Sequence, residues 1–314
     1  MDFNVLRRRF HGPTPPLPVF YRDDLSIDYE GMQRYVCWLI DGGIQSVCMT
    51  YFYSQMGFLT SEENLAITKA YAEAINRRAV FFASTLGETA AIEKSVVALC
   101  LAGADGVFVM QPVNMIAGWF VNRFVPWVDD ICQSVKLPIM INAFPIPSDL
   151  TKPLISVDDL ASLVTNNNFI GIKEDMNSAA YRTQIAKRYD NRVVQVGGGV
   201  MRNYIQFNHL PCQSEMDGMF SPRRATRIKS LLDERQLFEA LHLIEESELA
   251  MMGFSASLPP LARNQAIFYA MGFASSPKLR SPAISVTKEQ LRQIVDNVSR
   301  FPQCFEIAID PARI

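Results

Sequence analysis

What most restricts the fold of this 314-residue chain is a phrase that repeats along it. A short apolar run is followed by a polar turn, then by an amphipathic stretch at helical spacing, then by a glycine or polar stop. The apolar runs lie at residues 19–21, 45–51, 79–83, 106–110, 137–141, 169–173, 193–196 and 216–220. Their starts recur every ~24–34 residues, the length of one strand-helix unit with its loops. Between them, Asp28 opens a helix with Met32, Tyr35, Val36 and Leu39 on one face and Gly42-Gly43 behind it. Thr60 and Glu63 form a capping box for a helix reaching about residue 77. Trp119, Phe120, Trp127 and Ile131 keep helical spacing within 116–135, and Ser156 to Asp159 open another helix. Strands buried on both faces and separated by helices pair in parallel. Eight of them favour a closed (β/α)8 TIM barrel over an open, doubly wound sheet. No Gly-x-Gly-x-x-Gly follows the first run and no P-loop motif occurs, which removes the usual support for a nucleotide-binding sheet.

The pattern predicts three segments: a polar, basic lead-in over 1–14, the barrel over 15–232, and a C-terminal helical segment over 233–314. The last contains helices at 234–252 and 259–271 and one opened by a capping box at Thr287 and Gln290.

Thirty Lys and Arg are interspersed with 32 Asp and Glu, which offers no electrostatic footprint for nucleic acid or an anionic membrane. A small neutral or anionic metabolite is the partner to expect. Six scattered cysteines without Cys-x-x-Cys spacing point to free thiols in a reducing compartment. His11, His209 and His242 are far apart, so neither a histidine-built metal site nor a cofactor is expected. The N-terminus lacks a signal-peptide core, and no apolar run approaches the ~20 residues of a membrane helix. A cytoplasmic location follows as the expectation.

In such a barrel the active site lies at the C-terminal ends of the strands. The residues that follow the strands are therefore the candidates, and Lys173 is the one amine among them on a strand end. Strict alternation places Phe169, Gly171 and Lys173 on one face and Ile170, Ile172 and Glu174 on the other, so Lys173 cannot pair with Glu174. Facing the barrel interior, its ammonium would sit at the mouth of an apolar tunnel. Burial disfavours the charged form and leaves an amine able to attack a carbonyl. The other reading is a strand-end lysine held by a carboxylate from elsewhere. Gly197, Gly198 and Gly199 form either an anion-binding nest or a tight turn. Arg223 and Arg224 either hold a carboxylate or start a solvated helix.

The order of Gly43, Leu59-Thr60-Ser61-Glu62-Glu63, Ala102 to Val107, Leu137 to Ile141, Gly171-Ile172-Lys173-Glu174 and Leu279 to Pro282 resembles the dihydrodipicolinate synthase / N-acetylneuraminate lyase family, over about 17–298. The resemblance implies a (β/α)8 barrel with C-terminal helices, usually tetrameric. It also implies that Lys173 forms a Schiff base with pyruvate or a related 2-oxo acid.

Four departures bear on function. The family's Gly-Thr-Thr-Gly-Glu loop is here Tyr51-Phe52-Tyr53-Ser54-Gln55. Its Tyr-Asn-Val-Pro run, which carries the acid/base tyrosine, is Asn142-Ala143-Phe144-Pro145, and the tyrosine contributed by a neighbouring subunit is Asn114. An amide hydrogen-bonds but does not cycle a proton as a phenol does, so the usual relay is missing. The arginine that grips the aldehyde carboxylate in the synthase branch is Pro147, which counts against the synthase reaction itself. Two functions remain. One is a Schiff-base lyase or aldolase with a rebuilt relay, in which Tyr53 replaces the acid/base. Tyr51, Ser54, Gln55, Asn114, Asn142 and Gly198 would then form the polar part of the pocket, and Phe52, Phe144 and Phe220 its apolar walls. The other is a degenerate barrel that binds a small carbonyl or carboxylate ligand without turnover. A homo-oligomer, dimer or tetramer, is expected in either case.

Overall fold

The computed structural model describes residues 2–87, 90–112, 123–143, 145–146, 149–176, 178–198, 202–254 and 258–306. Eight strands form one sheet: β1 (Gly12–Pro13), β2 (Ser46–Cys48), β3 (Val80–Ser84), β4 (Gly106–Val109), β5 (Ile139–Ala143), β6 (Phe169–Glu174), β7 (Val194–Gly197) and β8 (Gln213–Glu215). Each pairs in parallel with its neighbour in the order β1-β8-β7-β6-β5-β4-β3-β2. A parallel bridge from Pro16 to Cys48 joins the chain after β1 to β2 and brings the two ends of the sheet together. The architecture is the (β/α)8 barrel with C-terminal helices. Both expected capping boxes are formed, at Thr60/Glu63 and Thr287/Gln290.

The first and last strands differ from the expectation. The apolar run 19–21 lies beyond the first strand: Tyr21 makes an antiparallel bridge to Ile27, and Phe20 packs on Tyr35 and Phe268. The strand itself is Gly12–Pro13. Likewise the eighth strand is Gln213–Glu215, ahead of the apolar run 216–220. All three of its side chains are polar and buried, because Arg182 meets Gln213 and Glu215 while Thr14 bonds both Ser214 and Ser46. A search for apolar runs cannot find a strand whose buried polar groups satisfy one another.

The lead-in also has a structural role. Asp2 caps a helix over Phe3–Arg9, and Arg7 donates to the carbonyls of Asn167 and Phe169 at the start of β6. Leu6 and Phe10 then enter the barrel from its N-terminal end, where Phe10 meets Phe82 edge-on at 5.1 Å. The N-terminal end of the barrel is thus filled by side chains.

Strand β6 carries a bulge that shifts the expected alternation. Ile139 pairs with Phe169 but Met140 pairs with Gly171, leaving Ile170 as the extra residue. Phe169 and Ile172 consequently pack in the outer layer under the helices, while Ile170 joins Cys48, Met140 and Val196 inside. Phe169 therefore does not share the face of Lys173. Gly171 sits where an added Cβ would lie 2.1 Å from the carbonyl oxygen of Val194, a backbone contact that admits no side chain. The C-terminal helices Leu237–Met252, Pro260–Ala270 and Lys288–Arg300 pack beside the barrel. No helix among the described residues is long and apolar enough to cross a membrane.

Candidate active site

Lys173 stands one residue from the C-terminal end of β6 and is 8% exposed. Its Nζ contacts Oδ1 of Asp175. The other carboxylate oxygen, Oδ2, accepts from Nδ2 of Asn142 at 2.5 Å. Asn142 is also the register partner of Lys173 across β5 and β6, so the parallel ladder itself brings the amide and the amine side by side. The three groups form a compact unit of amine, carboxylate and amide.

Gly198 makes that unit possible. Its N–H donates to the carbonyl of Glu174 at 2.8 Å, holding the end of β7 against β6. A Cβ at this position would fall 2.0 Å from Oδ1 of Asp175 and 3.2 Å from Nζ of Lys173. Below the amine lies Cys48, whose thiol is pushed up to about 12 by burial, with the charge of Lys173 pulling the other way. The floor of the site is thus a neutral thiol among apolar side chains.

Glu174 points away from Lys173. Its Oε1 accepts from the backbone N–H of Met176, and burial raises its carboxyl above the ordinary value against the opposing charge of Arg182. Two further polar groups lie just past strand ends. The Thr50 hydroxyl, beyond β2, and both ends of the Gln111 amide, beyond β4, are buried without a hydrogen-bond partner among the described residues. Buried groups of this kind are costly unless something bonds them; the Thr50 hydroxyl and the Gln111 amide nitrogen offer donors for a ligand carboxylate, and the Gln111 oxygen an acceptor for a ligand hydroxyl.

Among the residues expected from the sequence, Lys173, Asn142 and Gly198 are brought together. Tyr53 is close enough for its phenol to sense the charge of Asp175; burial raises its pKa, Arg263 opposes this, and Asp217 and Asp175 add to it. It is thus a neutral hydroxyl near neutral pH. Tyr51 and Phe52 are 40% and 47% exposed, with Phe52 edge-on to Tyr53 at 5.3 Å, so they form an outer rim. Ser54 and Gln55 are turned to the backbone: the Ser54 hydroxyl donates to Leu17 O, and Gln55 Nε2 donates to Val19 O. Phe220 stacks with Phe268 at 5.1 Å and lines a cavity next to Tyr53. Asn114, Phe144, Pro147 and Gly199 lie outside the described residues. Arg224 is tied to Glu246 and Leu243 O, and Arg223 is 3.6 Å from Glu306, which commits both to the C-terminal segment.

Asp175 belongs to the strand-end stretch Lys173-Glu174-Asp175 that the sequence offers, but the carboxylate that holds Lys173 was expected from elsewhere in the chain and is instead this neighbour two residues on. The alternation that separates Lys173 from Glu174 puts a residue two positions on beside it, so the pairing was available from the same rule. Thr50 and Gln111 had only their strand-end positions to mark them.

Arranged in this way, the site can hold an amine beside a proton acceptor, over an apolar floor, with unbonded donors just past two other strand ends of the same sheet. A family model described as the dihydrodipicolinate synthetase family matches residues 9–301. The 4-hydroxy-tetrahydrodipicolinate synthase of Staphylococcus carnosus (strain TM300) is 27% identical over 188 residues, 59% of this chain and 61% of the relative. That of Methanosarcina mazei is 24% identical over 181 residues, 56% and 58% of the two chains. The matched stretch thus spans about three fifths of these relatives' length. Among solved structures, dihydrodipicolinate synthase from Aquifex aeolicus superimposes with a TM-score of 0.79 at 16% identity, covering 94% of this chain and 99% of that one. YagE, a prophage protein of the same family from E. coli K12 in complex with pyruvate, gives 0.79 at 18% identity over 94% and 99%. CdNal from Clostridium difficile, in complex with mannosamine, gives 0.79 at 14% identity over 93% and 99%.

Proposed function

Because the chain belongs to the dihydrodipicolinate synthetase family, whose members are class I aldolases and lyases, we propose that it is a Schiff-base lyase or aldolase acting on pyruvate or another 2-oxo acid through Lys173. The observation that carries this reading is the contact of Lys173 Nζ with Asp175, at the C-terminal end of a strand in a barrel whose N-terminal end is filled.

Asp175 takes a proton from the ammonium, and the free amine attacks the carbonyl carbon. The nitrogen gives up a second proton as the carbinolamine forms. Both protons leave with the former carbonyl oxygen as water, and the product is a protonated imine. The site starts and ends with one positive charge, and Asp175 returns to its carboxylate form. Asn142, held by Asp175, is oriented to bond the carbonyl or carboxylate of the substrate. The Thr50 hydroxyl and Gln111 amide offer the remaining carboxylate contacts. Tyr53 donates from its neutral hydroxyl to the oxygen that gains charge when a carbon–carbon bond forms or breaks.

The synthase reaction itself is not proposed, because Pro147 stands in place of the arginine that the family uses for the aldehyde carboxylate. Assembly into a homo-oligomer is part of the proposal, supported by the exposed aromatic rim of Tyr51 and Phe52. The test is exchange of the pyruvate methyl protons for deuterium, followed by NMR. Imine formation makes those protons labile, and Lys173→Ala should abolish the enzyme-dependent exchange while leaving the circular dichroism spectrum unchanged. Exchange at the wild-type rate in that variant rules the mechanism out.

A further inference from the structure

Beside the barrel mouth is a cavity of about 330 Å³, walled by Tyr53, Met219, Phe220, Ile244 and Phe305 and reached by Arg263. That volume falls at the lower end of the range typical of small-molecule sites. Two links tie the cavity to Lys173. Met216, also in its wall, belongs to the interior cluster with Cys48, and Cys48 feels the charge of the lysine. Tyr53 shares the wall with Arg263 and feels the charge of Asp175.

Arg263 lies on the helix Pro260–Ala270 and is partly buried. Its Nε donates to Asn264 Oδ1 at 3.3 Å, and its guanidinium lies 5.8 Å from the ring centre of Phe254. No carboxylate pairs with it among the described residues. Burial lowers its pKa, and the one charged-state partner that opposes this is the phenol of Tyr53. Glu248, in the same wall, is already engaged with Arg202 at 2.5 Å, and Asp217 Oδ1 accepts from the N–H of Gly218 at 2.6 Å. A half-buried guanidinium without a counter-ion is destabilising in an apolar wall, and an arriving carboxylate would remove that cost.

We propose that this cavity is the subsite for the part of the substrate remote from the reacting carbonyl, and that it takes a molecule with an apolar body of about one aromatic ring ending in a carboxylate held by Arg263. The inference rests on the Schiff-base reading for the identity of the reaction, but the binding it asserts does not require turnover.

The test is calorimetric titration of the full-length protein with 4-methylbenzoate and with its neutral isostere 4-methylbenzamide. Wild type should bind the carboxylate more tightly than the amide. Arg263→Met should lose that preference, weakening carboxylate binding about ten- to hundredfold while leaving amide binding unchanged. Equal affinity for the two compounds in wild type, no binding of either, or an intact preference in Arg263→Met overturns the proposal. Borohydride trapping of pyruvate on the same two proteins separates it from the reading beneath it. A Lys173 adduct in both establishes that the variant is folded and the Schiff-base site whole. Absence of the adduct in wild type sinks the Schiff-base reading alone, and the titration still decides the cavity.

Discussion

Replacing Gly198 by alanine inserts one methyl group into the contact on which the proposed chemistry depends. The new Cβ would lie 2.0 Å from Oδ1 of Asp175, which must retreat by about 1.4 Å to reach ordinary contact at 3.4 Å. Gly198 does not occupy the left-handed region, so the backbone accepts alanine and the effect is confined to the clash. The side chain of Asp175 is 21% exposed and can turn toward solvent, but doing so breaks its contacts with both Lys173 and Asn142. Overpacking of this kind costs about 1–3 kcal/mol in stability. Losing a positioned proton acceptor costs about 10²–10⁴-fold in rate. The rate of Lys173 labelling by pyruvate and borohydride, measured beside the melting temperature, separates the two effects. The expected result is a folded variant, lower in melting temperature by several degrees, whose labelling is slowed at least a hundredfold. A Gly198→Ala protein that labels at the wild-type rate would refute the placement of Asp175 as the proton acceptor.

Two further outcomes follow from the barrel. Phe10→Ala empties the filled end of the barrel against Phe82 and should destabilise by about 3–5 kcal/mol in denaturant titration, with Lys173 labelling in the folded fraction unchanged. A loss below about 1 kcal/mol would show that the N-terminal helix does not close the barrel. Glu215 is held up to about 7 from an ordinary value of 4.5, because burial outweighs the pull of Arg182. The folded protein thus keeps a proton that the unfolded chain releases, and the stabilisation is full below about 4.5 and lost as pH rises through about 7. Glu215→Gln is the isostere of the protonated form and removes this dependence, so the variant should match the wild type near pH 4.5 and become the more stable of the two as pH rises toward 8. Parallel stability curves from pH 4.5 to 8 would contradict the assignment.

The helices opened at Asp28, Thr60 and Thr287, the six middle strands and the position of Lys173 were legible because each has a local cause: an apolar period, a capping box or a glycine stop. The helix Phe3–Arg9 in the polar lead-in was not, and residues 116–122 of the expected helix over 116–135 lie outside the described residues. The strands β1 and β8 were not legible, since Thr14, Ser214, Gln213 and Glu215 are buried polar groups whose partners come from distant parts of the chain. The bulge at Ile170 is likewise a property of the pairing with β5, and nothing in the run 169–174 announces it. In the site, strand alternation separates Lys173 from Glu174; the same rule returns position 175 to the side of Lys173, a contact that was not drawn from it. Ser54 and Gln55 looked like ligand groups because of where they fall in the loop, but their hydrogen bonds go to Leu17 and Val19. Arg263 could not be linked to the barrel mouth from its own helix, because only the packing of the C-terminal segment brings it beside Tyr53.

The most direct test of the central claim is intact-protein mass spectrometry after borohydride reduction in the presence of pyruvate, with peptide mapping of any adduct. A single stable adduct on Lys173, absent from Lys173→Arg, is the result predicted. No adduct with pyruvate or with a panel of other 2-oxo acids, or an adduct on a different lysine, would contradict the Schiff-base account and leave the barrel as a binding protein.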